Sequence, residues 1–346
     1  MAIQAMIKDL CACSGPSGFE EAVAERAAEI LKPFMDTVTT DTLGNVIGAR
    51  KCGREGAPQL LLDAHIDEVG LIVTGVREGF LQFAPIGGLH GWTLPASEVE
   101  LMTTPPIRGY IACMPPHTTE AGDFEKAIPT DALYIDIGMN QEEAEQAVPV
   151  GTPGVLTSAV KALAGGVLSG KAMDDRACFA IVADALERIR NQALSVDLYV
   201  MASVQEEVGL RGAVTGAYGI RPDYAFVLDV THAHTPGAKE EKTTRFHGGP
   251  AVGVGTDMNR ALTDFVRQTA EAEGIPYQLE ALPGRSGTNA HVIQLVHTGV
   301  ATALISLPLK YMHSPVECLS LADAENTAAL LAACIVNFGR EGMEGA

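Results

Sequence analysis

Several apolar runs in the sequence end in residues that can hold cations or move protons. LLLDAHID ends in His65 and Asp67, VMASVQEE in Glu206 and Glu207, YAFVLD in Asp229, and ALISLPLKYMH in His313. A further segment, SGKAMDDR, supplies Asp174, Asp175 and Arg176 where a helix begins. Four or five ionised carboxylates sharing one poorly solvated crevice repel each other by several kcal/mol. A divalent cation relieves that repulsion, and two relieve it better. Imidazole nitrogens mixed with carboxylate oxygens suit zinc, and a shared carboxylate can hold two ions about 3.5–4 Å apart. Neighbouring Glu206 and Glu207 point in different directions, so one can ligate while the other faces the reacting water. Singly, each feature has a plain structural reading: a hydrogen-bonded loop histidine, or Asp-Asp-Arg as helix capping and dipole compensation. What points to chemistry is their coincidence at strand ends, a placement not shared by His90, His117, His232, His234, His247, His291 and His297.

The positioning elements follow from hydrophobic patterning. Leu60–Leu62, Val196–Val204, Tyr224–Leu228 and Ala301–Leu307 have the length and β-branched content of buried strands. Between them, Asp175–Asn191 carries Phe179, Ile181, Leu186 and Ile189 at roughly helical spacing. That alternation predicts an α/β domain with a mostly parallel, helix-flanked sheet, whose ligands bind beyond the carboxyl ends of the strands. From about Gly70 to Val160 the pattern changes to short strand-like pieces broken by Gly and Pro, with one brief acidic stretch at Gln141–Gln146. This predicts an inserted small β-barrel or sandwich. The expected division is an α/β domain from residues 1–69 and 161–346, and a β-rich domain from 70–160.

Composition excludes several function classes. The 346 residues contain 24 Lys and Arg against 43 Asp and Glu, a net charge of −19 that repels nucleic acid and anionic lipid. A 47% apolar and 19% charged composition excludes intrinsic disorder. Thr327–Gly339, the least charged stretch, is about half the ~20 residues of a membrane span. The N-terminus has no long apolar region and reads as an amphipathic helix rather than a signal peptide. Seven cysteines are scattered without a CxxC pair, which reads as reduced thiols in a cytoplasm, with Cys11 and Cys13 as helix packing.

The segments SGPSGFE, DTLGNVIG, DAHIDEVGLIV, FAPIGG, MPPH, YIDIG, SGKAMDDR, QEEVGLRGA, LDVTHA, GTNAHVIQ and ALISLPLKYMHSPVE occur in this order over about 300 residues. In them the sequence resembles the tetrahedral aminopeptidases, the glutamyl and deblocking aminopeptidase family of di-metal peptidases. The resemblance implies an α/β peptidase domain carrying a β-rich dimerisation domain. It implies Asp174 as the carboxylate bridging two zinc or cobalt ions, with His313 and Glu207 completing one metal site and His65 and Asp229 the other. Glu206 then matches the general base and Asp67 the residue orienting His65. A cis bond between Asp174 and Asp175 belongs to the same pattern. The implied reaction removes N-terminal residues from short peptides: Glu206 takes a proton from a cation-activated water, which attacks the peptide carbonyl, and then returns it to the leaving amine. Thr288, Asn289 and His291 fall at the implied substrate pocket. Homodimers joining into a homododecamer are implied as well.

Two departures accompany the resemblance. Asn289 stands in Gly-Thr-Asn-Ala where the family commonly has Asp, and His234 stands where an acid is common; His234 reads as a surface-loop residue. His117 falls in a β-domain loop that in relatives tends to be mobile or to reach a neighbouring subunit. Rival functions are a metal-dependent hydrolase of N-acyl amino acids, separated by whether a free α-amine is required, and a non-catalytic assembly member. Glycoside hydrolysis needs two carboxylates flanking the bond and no metal pair, and nothing in this chain demands it.

Overall fold

The computed structural model describes residues 2–114 and 128–339; His117 lies outside them. Within the main sheet the strands run in the order Thr37–Thr40, Val46–Arg50, Asp197–Ser203, Gln59–His65, Tyr224–His232, Ala301–Lys310, Glu317–Ser320, Val167–Gly170 and Lys161–Leu163. Two further strands, Ala251–Gly255 and Gln278–Leu282, branch from Ala301–Lys310. The sheet is mixed rather than mostly parallel. The four strands Asp197–Ser203, Gln59–His65, Tyr224–His232 and Ala301–Lys310 are mutually parallel, whereas the flanking strands pair antiparallel. Only the parallel part was legible as continuous apolar runs, because only strands covered on both faces are apolar at every position. Leu60 and Leu62 pack against one helical layer and Leu61 against the other.

One layer contains Ile3–Ala12, Met173–Arg188 and Leu321–Asn337; the other contains Arg211–Ile220 and the short Ala290–Ile293. Met173–Arg188 begins two residues earlier than its apolar spacing predicts. Its residues Met173–Ala183 are all buried, so it is a core helix rather than an amphipathic one. Ser320 caps Leu321–Asn337 through the Asp323 backbone N–H.

The inserted region closes into a barrel of Gly70–Arg77, Phe80–Ile86, Tyr134–Asp136, Ile107–Ala112, Glu98–Leu101 and Pro153–Leu156, all antiparallel neighbours. It has its own core, including Leu71, Leu81, Phe83, Val99, Ile111 and Ile135. Closure leaves no free strand edge. Gln141–Ala147 is a helix with a complete capping box between Asn140 and Glu143. All seven cysteines are free thiols. Among the described residues no helix is long and apolar enough to cross a membrane.

Candidate active site

The parallel strands deliver their carboxyl ends to one rim. His65 is the last residue of Gln59–His65 and lies in register with Ser203, three residues before Glu206. Asp229 lies on Tyr224–His232 opposite Ser306, and His313 follows three residues after Ala301–Lys310. Asp174 enters from the first turn of Met173–Arg188, joined to Asp175 by a cis peptide. Ala172, Gln205 and His313 hold left-handed backbone (φ 56°, 56° and 60°). For residues with a Cβ this conformation costs of order 1 kcal/mol or more, and such strain gathers where side chains must be aimed.

Asp174 sits between the two imidazoles. Its Oδ1 is 3.1 Å from His65 Nε2 and its Oδ2 is 3.2 Å from His313 Nε2. His313 Nε2 is also 3.0 Å from Glu207 Oε1, and Glu206 Oε2 lies 4.0 Å from His65 Nε2. Candidate ligand atoms of Asp174, Glu207 and His313 all fall within 4.8 Å of one another, as do those of His65, Asp175 and Asp229. The structure therefore brings His65, Asp174, Glu206, Glu207, Asp229 and His313 together. Asp175, which the SGKAMDDR segment offered beside Asp174 and the resemblance left without a ligand role, joins them with both oxygens buried and no well-aligned hydrogen-bond partner.

The electrostatics show the strain of that assembly. Burial pushes the Glu206 carboxyl up to about 9 and the Asp229 carboxyl up to about 8, with neighbouring acids adding to both. Burial likewise raises Glu207, and it raises Asp175 well above the usual carboxylate range. For His313, burial opposes charge, but Asp174 and Glu207 outweigh it and push the imidazole up to about 11. The same competition leaves His65 well above its ordinary value, held by Asp174 and Asp67. Asp174 is the exception among the acids: burial opposes its charge, but the two histidines hold its carboxyl well below the usual range.

A surrounding set of groups fixes the cluster. Asp67 is fully buried; it accepts from Ser17 Oγ (2.6 Å) and from the backbone N–H groups of Glu206 (3.0 Å) and Glu207 (3.2 Å). Its Oδ1 also lies 3.3 Å from His65 Nδ1, though poorly aligned for a hydrogen bond. Glu317 accepts from the backbone N–H of Met173 (2.7 Å), Asp174 (3.3 Å) and His313 (2.9 Å). His313 Nδ1 lies 3.2 Å from the Gly88 carbonyl, a contact reaching from the barrel. Glu20, pushed up to about 7 by burial, accepts from the Gly18 and Gln205 N–H groups and so braces the left-handed turn before Glu206. Arg176, also fully buried, bonds Glu68 and the carbonyls of Ile66, Leu10, Cys13 and Gly15, tying the N-terminal segment to the site helix. Sequence reading missed Glu20, Glu68, Gly88 and Glu317 as parts of the site; the only signal was their membership of SGFE, DEVG, PIGG and SPVE.

The cluster opens into a cavity of about 260 Å³. Thr288 lines it, together with Ser286, Gly287, Thr231, Glu280, Leu282, Leu304, Ser306 and Met312. Asn289 and His291 do not. Asn289 is 1% exposed and donates into the core, to Asp63 Oδ2 (2.8 Å) and Ser203 Oγ (2.9 Å). His291 Nδ1 lies 3.1 Å from Asp257 Oδ2. His232, one of the histidines without a strand-end reading, does line the cavity; His234 is exposed beside Thr243.

Fold and site together define an α/β protein with a buried crevice of acids and imidazoles at the carboxyl ends of its parallel strands. The chain belongs to the M42 glutamyl aminopeptidase family, which it matches over residues 44–330, and is an aminopeptidase, a hydrolase of peptide bonds. It is 35% identical to the lysyl aminopeptidase of Pyrococcus furiosus over 336 residues, covering 95% of this chain and 96% of that protein. An aminopeptidase structure from Desulfurococcus kamchatkensis superposes with a TM-score of 0.90 at 37% identity, covering 96% of this chain and 94% of that one. The TET1 peptidase of Pyrococcus horikoshii, described as assembling into a tetrahedron or a large octahedral shell, superposes with a TM-score of 0.85 at 31% identity, covering 96% and 99%.

Proposed function

We propose that this aminopeptidase acts on short peptides through two divalent cations, zinc or cobalt. His65 and Asp229 would hold one ion, His313 and Glu207 the other, and Asp174 both. The observation that supports this best is the placement of the two Asp174 oxygens, one at each imidazole (3.1 and 3.2 Å). The chemistry such a pair supplies when bound is acidification of water and polarisation of a carbonyl oxygen. Glu206, 4.0 Å from His65 Nε2 at the edge of the cluster, takes a proton from the attacking water and delivers it to the leaving amine. Asp67 holds His65 and the Glu206–Glu207 backbone in place, and the acidic rim receives the substrate's free α-ammonium group. Thr288 contacts substrate, while Asn289 and His291 support the pocket from behind.

We read residues 70–160 as a dimerisation domain inserted into a catalytic domain of residues 1–69 and 161–346. The barrel region exposes Trp92, Tyr110 and Val150, large apolar side chains of the kind an interface covers. The likeness to the shell-forming Pyrococcus horikoshii peptidase, which is also seen as a dodecamer, favours homodimers joining into a dodecamer. Size-exclusion chromatography with light scattering tests the assembly; a monomer at micromolar concentration refutes it.

The catalytic reading is tested by metal analysis combined with a panel of aminoacyl chromogenic substrates. Two ions per subunit and cleavage confined to substrates with a free α-amine are expected; cleavage of N-acetylated peptides would favour the acyl-amino-acid hydrolase. Glu206→Gln should lower kcat by at least ~10²-fold while metal content stays at two ions. A fully active variant would mean that the base has been misassigned.

A further inference from the structure

The cavity beside the cluster holds one carboxylate that the proposed mechanism does not use. Glu280 lies on Gln278–Leu282, which pairs with Ala251–Gly255, itself paired with Ala301–Lys310. Its Oε1 accepts a 2.5 Å hydrogen bond from Thr231 Oγ. Thr231 is two residues beyond Asp229 on the same strand, so the two side chains share a face and stand about 6.5–7 Å apart along it. The same cavity is lined by the apolar Leu282, Leu304 and Met312. Ser306, in register with Asp229, lines the same space, with its buried hydroxyl turned toward Glu280. The space therefore has acids at the reacting end, an aliphatic lining, and, at Thr231 about 6.5–7 Å farther along the strand, the Glu280 carboxylate.

Among the described residues no lysine or arginine lines this cavity; its basic groups are the imidazoles of His65 and His313, which face Asp174 and Glu207 in the cluster, and that of His232. Burial raises the Glu280 carboxyl above its usual range, and His232 only partly offsets this. An arriving ammonium would supply the missing charge and hydrogen-bond donors. From this arrangement we infer that Glu280 selects peptides whose first residue carries a long unbranched cationic side chain, lysine or arginine. The inference rests on the aminopeptidase reading of the cavity. A short first side chain leaves the carboxylate unpaired, and an acidic one meets a like charge. Branched apolar side chains fill the wall but forgo the ion pair.

Lysine and norleucine share a four-carbon stem and differ in the terminal ammonium, so they isolate the contribution of Glu280. The test compares kcat/KM for lysyl and norleucyl chromogenic substrates on the metal-loaded full chain, wild type beside Glu280→Gln and Glu280→Asp. Wild type should prefer lysine by about tenfold or more, a discrimination ordinary for a pocket built around one polar group. E280Q should remove that preference by lowering the lysyl rate while sparing the norleucyl rate, and E280D should restore part of it. Calorimetric binding of free lysine and norleucine to wild type needs no variant and should show the same order. Equal rates and equal binding for the two in wild type, or an unchanged preference in a folded E280Q protein, would overturn the inference while cleavage of either substrate upholds the aminopeptidase reading. No cleavage of any aminoacyl substrate by the metal-loaded wild type would overturn both.

Discussion

Glu317 shows how much of the site is carried by side chains that need touch neither metal nor substrate. One buried carboxyl accepts from the backbone at Met173, Asp174 and His313, so it locks a helix start and a strand end into one frame. Groups that orient ligands in this way are worth roughly 10–100-fold in metal affinity or activity. Glu317→Gln keeps the shape but turns an N–H donor toward at least one backbone N–H. It should weaken metal binding by about 10-fold or more, measured by calorimetric titration of the stripped protein, while the chain remains folded by circular dichroism. Unchanged affinity would mean that Asp174 and His313 are placed by their own strand and helix alone. Asn289 makes the converse point. Its neighbour Thr288 lines the cavity, yet Asn289 turns inward to Asp63 and Ser203, because consecutive residues entering a helix point in different directions. Sequence proximity to a pocket residue therefore did not place it in the pocket.

At the scale of elements, the strand ends were legible because an apolar run that stops at His or Asp carries two signals at once: burial, then chemistry. The barrel's effect on the site was not legible. Gly88 is 225 positions from His313 in sequence, and only the closed barrel brings them together. A Cβ built on Gly88 would lie 2.5 Å from His313 Nδ1 and 2.8 Å from Cε1. The glycine thus lets the loop approach the ring closely enough for its carbonyl to engage Nδ1, leaving Nε2 directed at Asp174 and Glu207. Gly88→Ala should displace that ring, cutting activity by at least ~10-fold at a stability cost of about 1–3 kcal/mol. Activity assays paired with thermal melts check this, and a variant with wild-type turnover would show that the barrel loop yields instead of the histidine. The flanking antiparallel strands were hidden for a different reason. Thr37–Thr40 and Lys161–Leu163 lie at the sheet edges with mostly exposed side chains, so no continuous apolar run marks them.

Across the whole molecule the decisive quantity is charge. The chain carries −19 and concentrates several of its acids in one buried crevice, where two protonated imidazoles relieve the repulsion only partly. Stability of the chelated protein should consequently depend on pH with a definite sign. A carboxyl raised in the folded state begins to cost stability above its unfolded value near 4, and the cost is complete above its folded value, about 9 for Glu206 and about 8 for Asp229. His313 acts in the same direction: its stabilising contribution is intact below the unfolded value near 6.5 and is lost as pH rises toward about 11. Both slopes lower stability between pH 5 and 9. Bound cations remove the repulsion, stabilise the folded state by mass action and bind more tightly as protons leave their ligands. The melting temperature of chelated protein should therefore fall steadily over this range, while that of zinc- or cobalt-loaded protein holds or rises, so the gap between them widens with pH. Parallel melting curves with and without metal across the range would show that these acids do not share ions, and the electrostatic basis for assigning His65, Asp174, Glu207, Asp229 and His313 to one centre would be lost.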